Sequence, residues 1–183
     1  MTERGNRAVS EFSEYLADLI DDRRHNPSHY ADDVMGRLID GSVDGDRLSD
    51  LKLIQNCIFI LNAGHETTTN LIGNGVAALF EHPAQLARLQ QDPRLIDSAV
   101  EEFLRFESSN QLGNRRVAEV TMVDGVAMKA GNYIHLCIGA ANCAPSQFTD
   151  PEAFNIKRRP NRHLAVNSGT HACVSMRLAR LEG

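Results

Sequence analysis

The chain has 183 residues, of which 42% are hydrophobic and 23% are charged, and its formal net charge is -5. This length and apolar content are enough for a folded domain with a hydrophobic core, which excludes a compositionally disordered chain. The acidic balance argues against a nucleic-acid partner, because nucleic-acid-binding proteins carry a basic footprint.

The first residues, the lengths of the apolar runs and the cysteines predict a cytoplasmic protein. The first residues, Met-Thr-Glu-Arg-Gly, contain no apolar segment, so no secretory signal is expected. The longest apolar runs fall far short of the roughly 20 residues of a membrane helix, so no membrane segment is expected. Cys57, Cys137, Cys143 and Cys173 form no CxxC pair and are typical of reduced cytoplasmic thiols.

Two helices and a loop are predicted in the first quarter of the chain. Apolar residues at helical spacing predict an amphipathic helix that ends before His25. A shorter helix is expected over about Ala31 to Ile39, with Asp32 and Asp33 in its first turn, where the helix dipole favours acids. Residues 40–46 are rich in Asp and Gly and predict a solvated loop.

The most apolar stretch runs from about Leu48 to Glu81, and its spacing fits a helix. Ser49 is a suitable N-cap, and Pro83 requires the helix to stop just before it. Polar residues interrupt the centre of the stretch, which reads Ala-Gly-His-Glu-Thr-Thr-Thr over 63–69. The pattern allows either one unusually long helix or two helices broken at Gly64.

The residues at this centre are unfavourable in a helix. A Gly in a helix interior costs about 1 kcal/mol against Ala, and consecutive Thr residues lose side-chain freedom there. Such a departure inside an apolar element often marks a functional site. In that interpretation Glu66 and Thr67 offer a proton carrier and a hydroxyl, beside room left by Gly64. The alternative is a solvated polar junction between two helices.

A further helix is predicted to start at Asp92 and Pro93, after a short helix over about Ala84 to Gln91. Its apolar stripe consists of Ile96, Ala99, Val100, Phe103 and Leu104. Glu102 and Arg105 are three residues apart and share a face. Taken alone, this pair is interpreted as a surface ion pair that contributes about 0.2–0.5 kcal/mol.

The pattern changes from helical to β after Arg116. Two apolar runs around Asp124-Gly125 predict a hairpin over about Thr121 to Met128. A strand is predicted from Tyr133 to Ile138. A long irregular connection follows from Gly139 onward. Such a segment in a compact domain is usually functional.

The last distinctive segment is a loop of small residues, the Cys loop, which starts at Val166 and brings Cys173 to the start of a predicted helix. Free backbone N–H groups and the helix dipole at such a position favour a thiolate, which is a nucleophile or a soft metal ligand. The alternative is an inert buried cysteine, the commoner fate of a lone cysteine.

Three motifs in this order resemble the cytochrome P-450 family of haem-thiolate monooxygenases. They are Ala63-Gly64-x-Glu66-Thr67-Thr68, Glu102-x-x-Arg105, and Gly169-x-His171-x-Cys173 before Leu178-Ala179-Arg180. The segments 140–142 and 154–165 are also similar to bacterial members. The resemblance implies the C-terminal part of the P-450 fold, in one partial domain over 1–183. That fold is mainly α with small β-hairpins, a long central helix and a Cys-ligand loop before the last helix.

The resemblance implies roles for the matching residues. Cys173 would be the axial thiolate of haem b and would push electron density to the iron to favour O–O cleavage. Glu66 and Thr67 would relay protons, and Gly64 would leave room for oxygen and haem. His171 and Arg115 would hold the propionates, with Arg116 as an alternative to the latter. A buried charge network would lock the scaffold of the Cys loop through Glu102, Arg105 and Arg158.

The chain departs from the family pattern in the Cys loop. Val166-Asn167 replaces Phe-Gly, and because Asn tolerates a left-handed backbone better than most residues, the turn is expected to survive. Ser175 stands where the family favours Gly and is positioned to crowd the haem. Cys143-Ala144 stands where Arg-Asp is usual.

The resemblance implies a monooxygenase that takes electrons from a partner such as a ferredoxin and inserts one oxygen atom into a small organic substrate. The resemblance would place some of the arginines around the Cys loop where an acidic ferredoxin docks, and the candidates are Arg158, Arg159, Arg162, Arg177 and Arg180. Otherwise Arg158 is buried in the charge network and the others are merely solvated. Two alternatives remain. One is a truncated, non-catalytic remnant that holds haem weakly or not at all. The other is a helical interaction module in which Cys173 is merely buried.

The resemblance covers only the C-terminal half of a family member. We therefore expect the long helix to lack some of its neighbours, so that haem is weakly retained and turnover is not coupled. The apolar flanks of that helix would be partly exposed at Ile58, Phe59, Leu71 and Ile72, and exposed patches of this kind promote association.

Overall fold

The computed structural model describes most of the chain, namely residues 2–27, 33–43 and 45–183. Three residues of the predicted second helix and loop, Ala31, Asp32 and Asp44, lie outside the described residues. The described part is helical with small antiparallel ribbons and falls into two compact units, Met1–Gly64 and His65–Gly183.

The first unit begins with the amphipathic helix α1, Glu3–His25. Thr2 caps it, since its hydroxyl accepts a hydrogen bond from the Gly5 N–H at 3.3 Å. The helix was predicted to end before His25, and it extends one residue further, through His25. Its apolar stripe places Leu16 and Ile20 in the interior of the unit.

A shorter helix and a two-residue ribbon follow in the first unit. Helix α2 spans Val34–Asp40, and Asp33 is its N-cap, with Oδ1 accepting from the Gly36 N–H at 2.6 Å. The predicted loop after it contains the antiparallel pair β1, Ser42–Val43, and β2, Asp46–Arg47. The loop prediction was therefore incomplete, because strands this short leave no apolar pattern.

The apolar stretch forms one helix, α3, which runs without interruption through Asp50–Glu81. The alternative of two helices broken at Gly64 is therefore wrong. One threonine of the unfavourable triplet finds a partner inside the helix, because the Thr69 hydroxyl donates to the His65 carbonyl at 2.8 Å. The predicted end before Pro83 is confirmed.

The second unit continues with α4, Pro83–Gln91, a 3₁₀ turn, Pro93–Leu95, and α5, Ile96–Phe106. Four of the five stripe residues predicted for α5 are buried, whereas Ile96 is 44% exposed. Ile96 is the first residue of α5, directly after the 3₁₀ turn, and the apolar face that enters the core begins at Ala99.

The core of the second unit is built around α5. Its buried members are Leu71, Ala78, Ala99, Val100, Phe103, Leu104, Phe154 and Ile156. Phe154 and Ile156 come from the long irregular connection, so that segment is packed against α5 although it has little regular structure. The expected exposure of Leu71 was wrong, because this side chain belongs to the core and is 2% exposed. Phe59 and Ile72 are exposed at 66% and 45%, as expected, and Ile58 is half-buried.

Two antiparallel ribbons lie between α5 and the irregular connection. Strand β3, Leu112–Arg116, pairs with β6, Tyr133–Cys137, and β4, Thr121–Val123, pairs with β5, Val126–Met128. The predicted hairpin turn is confirmed, since Asp124 and Gly125 have φ values of 48° and 78°. Strand β3 was not predicted, because four of its five residues are exposed and their sequence, Leu-Gly-Asn-Arg-Arg, has no apolar alternation.

Short elements complete the unit. The predicted last strand ends at Cys137, one residue early, because Ile138–Asn142 forms helix α6. A 3₁₀ turn, Gly169–His171, and helix α7, Met176–Glu182, lie on either side of Cys173. Within the described residues, no helix is both long and apolar enough to cross a membrane.

Gly75 is expected to be essential for the packing of α3 against α5. A Cβ at this position would lie 2.7 Å from Cδ2 of Phe103, whereas a Cβ at Gly73 on the same helix meets no atom within 4 Å. Gly75→Ala should therefore lower the free energy of unfolding by about 1–3 kcal/mol through overpacking. Gly73→Ala should be neutral or stabilising by up to about 1 kcal/mol. Urea denaturation measures both variants, and equal effects would contradict this packing.

Candidate functional site

Glu102 is the centre of a buried charge network. Its side chain and that of Arg105 are fully buried, and Arg158 is 9% exposed. Arg105 binds the carboxylate through both Nε and Nη2, each at 2.9 Å, and Arg158 Nε lies 3.1 Å from Oε2. The pair is therefore not a surface ion pair. The structure brings together the three side chains that the family resemblance grouped.

The network also binds the backbone of the irregular connection. Arg105 donates to the carbonyls of Asn142 and Pro151, each at 2.9 Å, and Arg158 donates to that of Thr149 at 2.6 Å. The carboxylate of Glu102 in turn accepts from the Asn155 N–H at 3.0 Å. Buried charges are tolerated when all their donors and acceptors are paired, and here the pairing attaches about twenty residues of irregular chain to α5.

A neutral hydrogen-bond chain attaches the next part of the connection. Asn142, fully buried at the end of α6, accepts from the Leu164 N–H through Oδ1 at 2.7 Å and donates to Ser108 Oγ at 2.7 Å. The Ser108 hydroxyl donates to the Leu104 carbonyl at 2.8 Å. Sequence reasoning missed the role of Ser108, because its partners are distant along the chain and a serine after a helix is usually solvated.

Glu101, beside Glu102 on α5, forms a second ion-pair cluster. Its Oε2 lies 3.0 Å from Nε2 of His163, and Arg180 of α7 donates to both carboxylate oxygens. Burial alone would raise the pKa of Glu101, but the hydrogen bonds from His163 and Arg180 outweigh burial and lower the pKa to about 2. Sequence reasoning missed this cluster as well.

The turn that opens the Cys loop adopts the expected left-handed backbone. Asn167 has a φ of 57°, and its N–H donates to the Leu164 carbonyl at 2.9 Å. Few residues other than Gly adopt this conformation readily, and Asn is one of them. The Cys173 N–H closes the loop by donating to the Val166 carbonyl at 2.9 Å.

Cys173 is a half-buried free thiol. Its Sγ lies 3.5 Å from the hydroxyl oxygen of Ser175, the residue that replaces the family's Gly. Helix α7 begins three residues after Cys173, at Met176, so Cys173 precedes the helix and is not in its first turn. Burial raises the pKa of the Cys57 thiol, which disfavours its thiolate form.

The other residues with implied roles are exposed to solvent. Gly64, Glu66 and Thr67 lie on exposed positions of α3, and a Cβ at Gly64 would meet no atom within 4 Å. Arg115 on β3 and His171 in the 3₁₀ turn are exposed as well. The guanidinium of Arg116, the alternative to Arg115, lies 5.9 Å from the centre of the Tyr133 ring.

The arginines around the Cys loop have different environments. Arg158 is buried in the Glu102 network, and Arg180 is paired with Glu101, so neither is available to a partner. Arg159, Arg162 and Arg177 are exposed. Of the five candidate arginines, these three are therefore the exposed ones.

A thiol and an exposed guanidinium are the kinds of group that an iron porphyrin would require of this chain. Across the described ranges, no group of three or more His, Cys, Asp or Glu side chains could hold a metal ion. Cys173 is a half-buried free thiol in a loop, and one thiol ligand suits a metal that brings its other ligands with it. The exposed cationic side chain of Arg115 suits a ligand that carries carboxylates.

Comparison with known proteins agrees with these observations. The family model described as Cytochrome P450 matches residues 1–183. The chain belongs to the cytochrome P450 monooxygenase family. The biotin biosynthesis cytochrome P450 of Bacillus subtilis (strain 168) is 41% identical over 178 residues, which are 97% of this chain and 44% of that protein. Cytochrome P450 monooxygenase PikC of Streptomyces venezuelae is 41% identical over 177 residues, which are 96% of this chain and 42% of that protein.

Solved cytochrome P450 structures share the fold. The crystal structure of P450BioI in complex with hexadec-9Z-enoic acid ligated acyl carrier protein superimposes with a TM-score of 0.91 at 41% identity. The match covers 98% of this chain and 45% of that chain. The predicted fold class, the C-terminal part of the cytochrome P450 fold, is confirmed. The chain thus spans a little under half the length of the P450 relatives that it matches.

The left-handed turn at Asn167 gives a testable prediction. Asn167→Val should lower the free energy of unfolding by about 1–2 kcal/mol, because a β-branched side chain is strained at this φ. Asn167→Gly should retain or increase stability, because Gly adopts the conformation without strain. Ser168→Ala, at the exposed neighbouring residue in extended backbone, is the control and should change little. Thermal unfolding compares the variants, and a harmless Asn167→Val would contradict this account of the turn.

Proposed function

We propose that this chain carries the thiolate-ligand part of a haem-dependent monooxygenase, with Cys173 as the axial ligand of haem b. The observation that carries the proposal is the position of Cys173. It is a free, half-buried thiol whose loop is attached on both sides to the buried scaffold of α5, in a chain that belongs to the cytochrome P450 family. Bound haem would supply the dioxygen chemistry, and the thiolate would tune it.

The ligand loop limits the movement of the sulfur atom. The Cys173 N–H is bound to the Val166 carbonyl, and the Cys173 carbonyl accepts from the Met176 N–H at 3.2 Å. The Ser175 hydroxyl oxygen lies 3.5 Å from Sγ, and it would be the donor to a Cys173 thiolate, because a thiolate has no proton to give. A hydrogen bond to a thiolate stabilises its charge, so Ser175 would make Cys173 a weaker electron donor than the same thiolate without this partner.

Exposed cationic or donor groups would hold the haem propionates. We assign this role to His171 and Arg115, with Arg116 as the alternative to Arg115. His171 is two residues before Cys173 in an exposed turn, and the Arg115 guanidinium has only one hydrogen bond among the described residues, to the Asn114 carbonyl. Charge-assisted pairs of this kind are stronger than neutral hydrogen bonds.

The polar centre of α3 would serve proton transfer. Glu66 and Thr67 are exposed and consecutive in an unbroken helix, so one element presents both a carboxylate and a hydroxyl. Glu66 would exchange protons with solvent, and Thr67 would orient the last proton donor. Gly64 would leave space for the cofactor and substrate, since no atom lies within 4 Å of its absent Cβ.

The substrate would be a small organic molecule, and the electron donor would be an acidic protein such as a ferredoxin. The exposed arginines 159, 162 and 177 offer the positive charge that an acidic partner would contact.

A haem-free interaction module is the second candidate. It is favoured by the exposed apolar side chains of α3, among them Phe59 at 66% and Phe80 at 72%. Exposed apolar side chains of this kind, where they form a patch, are typical of protein contacts. The two candidates differ in colour, because only the first predicts a haem-loaded protein.

The reduced carbonyl complex tests the assignment of Cys173. The haem-loaded chain should show the red-shifted Soret band of a thiolate ligand, and Cys173→Ala should abolish that band because no other thiol replaces it. Cys143→Ala, at another half-buried free cysteine, is the matched control and should keep the band. A red-shifted band in Cys173→Ala would show that the ligand is elsewhere. A chain that takes up no haem would favour the interaction module.

A further inference from the structure

The carboxylate of Glu101 binds the chain on both sides of Cys173. Its first partner, His163, lies in the segment that leads into the Cys loop. Its second partner, Arg180, lies on the helix that follows the loop. Two parts of the chain that enclose Cys173 in sequence therefore meet at one carboxylate.

The segment before Cys173 is held through the two nitrogens of His163. Nδ1 accepts from the Ala165 N–H at 3.2 Å, so Nε2 carries the proton and donates to Glu101. The imidazole side chain is 2% exposed and therefore fixed in this orientation. The next residue, Val166, supplies the carbonyl that accepts from the Cys173 N–H.

The segment after Cys173 is held through α7. The Cys173 carbonyl accepts from the Met176 N–H at 3.2 Å, and the Met176 carbonyl accepts from Nη1 of Arg180 at 3.3 Å. Nε and Nη2 of the same guanidinium donate to Glu101. These contacts close a ring that starts and ends at Glu101 and passes through both backbone groups of Cys173.

We infer that Glu101 is a positioning residue for the Cys173 thiolate, acting through His163 on one side of the Cys loop and Arg180 on the other. The inference rests on the proposed function, because it treats Cys173 as the axial ligand. Glu101 differs in this respect from Glu102, whose arginines bind the chain at residues 142–153, well before the Cys loop.

The ring requires a carboxylate at position 101. All the groups that face it from His163 and Arg180 are N–H donors, and both oxygens accept. An amide offers one acceptor oxygen and turns its own N–H groups toward one of the donors, so Gln cannot accept from all three N–H groups. It also leaves the Arg180 guanidinium without its counter-charge.

Hydrogen–deuterium exchange of the haem-free chain tests the ring without any dependence on activity. Glu101→Gln should accelerate exchange of the Cys173 amide roughly tenfold, as expected for the loss of a charge-assisted contact. Amides of the β3–β6 ribbon should be unchanged, which separates a local effect from general destabilisation. Asp97→Asn, at an exposed carboxylate one turn earlier on α5, is the matched control and should leave the Cys173 amide unchanged.

If the Glu101→Gln variant does not fold, the Arg180→Gln variant is tested in its place. Arg180 is partly exposed, and its loss breaks only one side of the ring. This variant should accelerate exchange at Cys173 and Met176 and leave the Ala165 amide protected. Wild-type exchange at Cys173 in the folded variant would overturn the inference.

The haem-loaded chain provides the second readout. Glu101→Gln should convert part of the red-shifted Soret band of the reduced carbonyl complex into the shorter-wavelength band of a lost thiolate ligand, and Asp97→Asn should not. Absence of the red-shifted band in the wild type would overturn the proposed function. Its presence at full strength in Glu101→Gln, with unchanged exchange, would overturn only the role of Glu101.

Discussion

The pairing of the buried Glu102 carboxylate is the interaction on which the second unit depends. The carboxylate is fully buried, and it is tolerated there because two guanidiniums, a backbone N–H and the Asn161 amide donate to it. Removing one partner of such a buried set costs about 3–5 kcal/mol, because the remaining charge is left unpaired in the interior. The network therefore acts as a geometric constraint: the irregular connection is stable only where its carbonyls meet the two arginines.

Helix α5 organises the site through its apolar face and two neighbouring carboxylates. Its apolar face fills the core, Glu102 fixes the first part of the connection, and Glu101 fixes the segments on either side of Cys173. A loop without regular structure can present a sulfur atom reproducibly only if its backbone groups are paired, and here these pairs lead back to one helix. This arrangement explains how a segment with a single short 3₁₀ turn can carry the proposed ligand.

Local patterns predicted much of the fold, and long-range contacts explain what they missed. The periodicity of α1, α3 and α5 and the Asp124-Gly125 turn arise between neighbours in sequence, so they can be read directly. Strand β3 lies in an exposed two-stranded ribbon and has no apolar alternation to detect. Glu101 contacts His163, which is 62 positions away in the sequence, and Arg180, which is 79 positions away. No local pattern encodes contacts over such separations. The burial of Glu102 came from the family resemblance, because the i, i+3 spacing alone favours a surface pair.

A double-mutant cycle between Glu102 and Arg158 tests this account most directly. The free energies of unfolding of Glu102→Gln, Arg158→Met and the double variant are compared with that of the wild type. Residues that share a buried charge network are expected to couple by about 1–3 kcal/mol, so the double variant should be less destabilised than the sum of the single variants. Additive effects would contradict the account, because they would mean that Glu102 and Arg158 contribute to the stability of the second unit independently of each other.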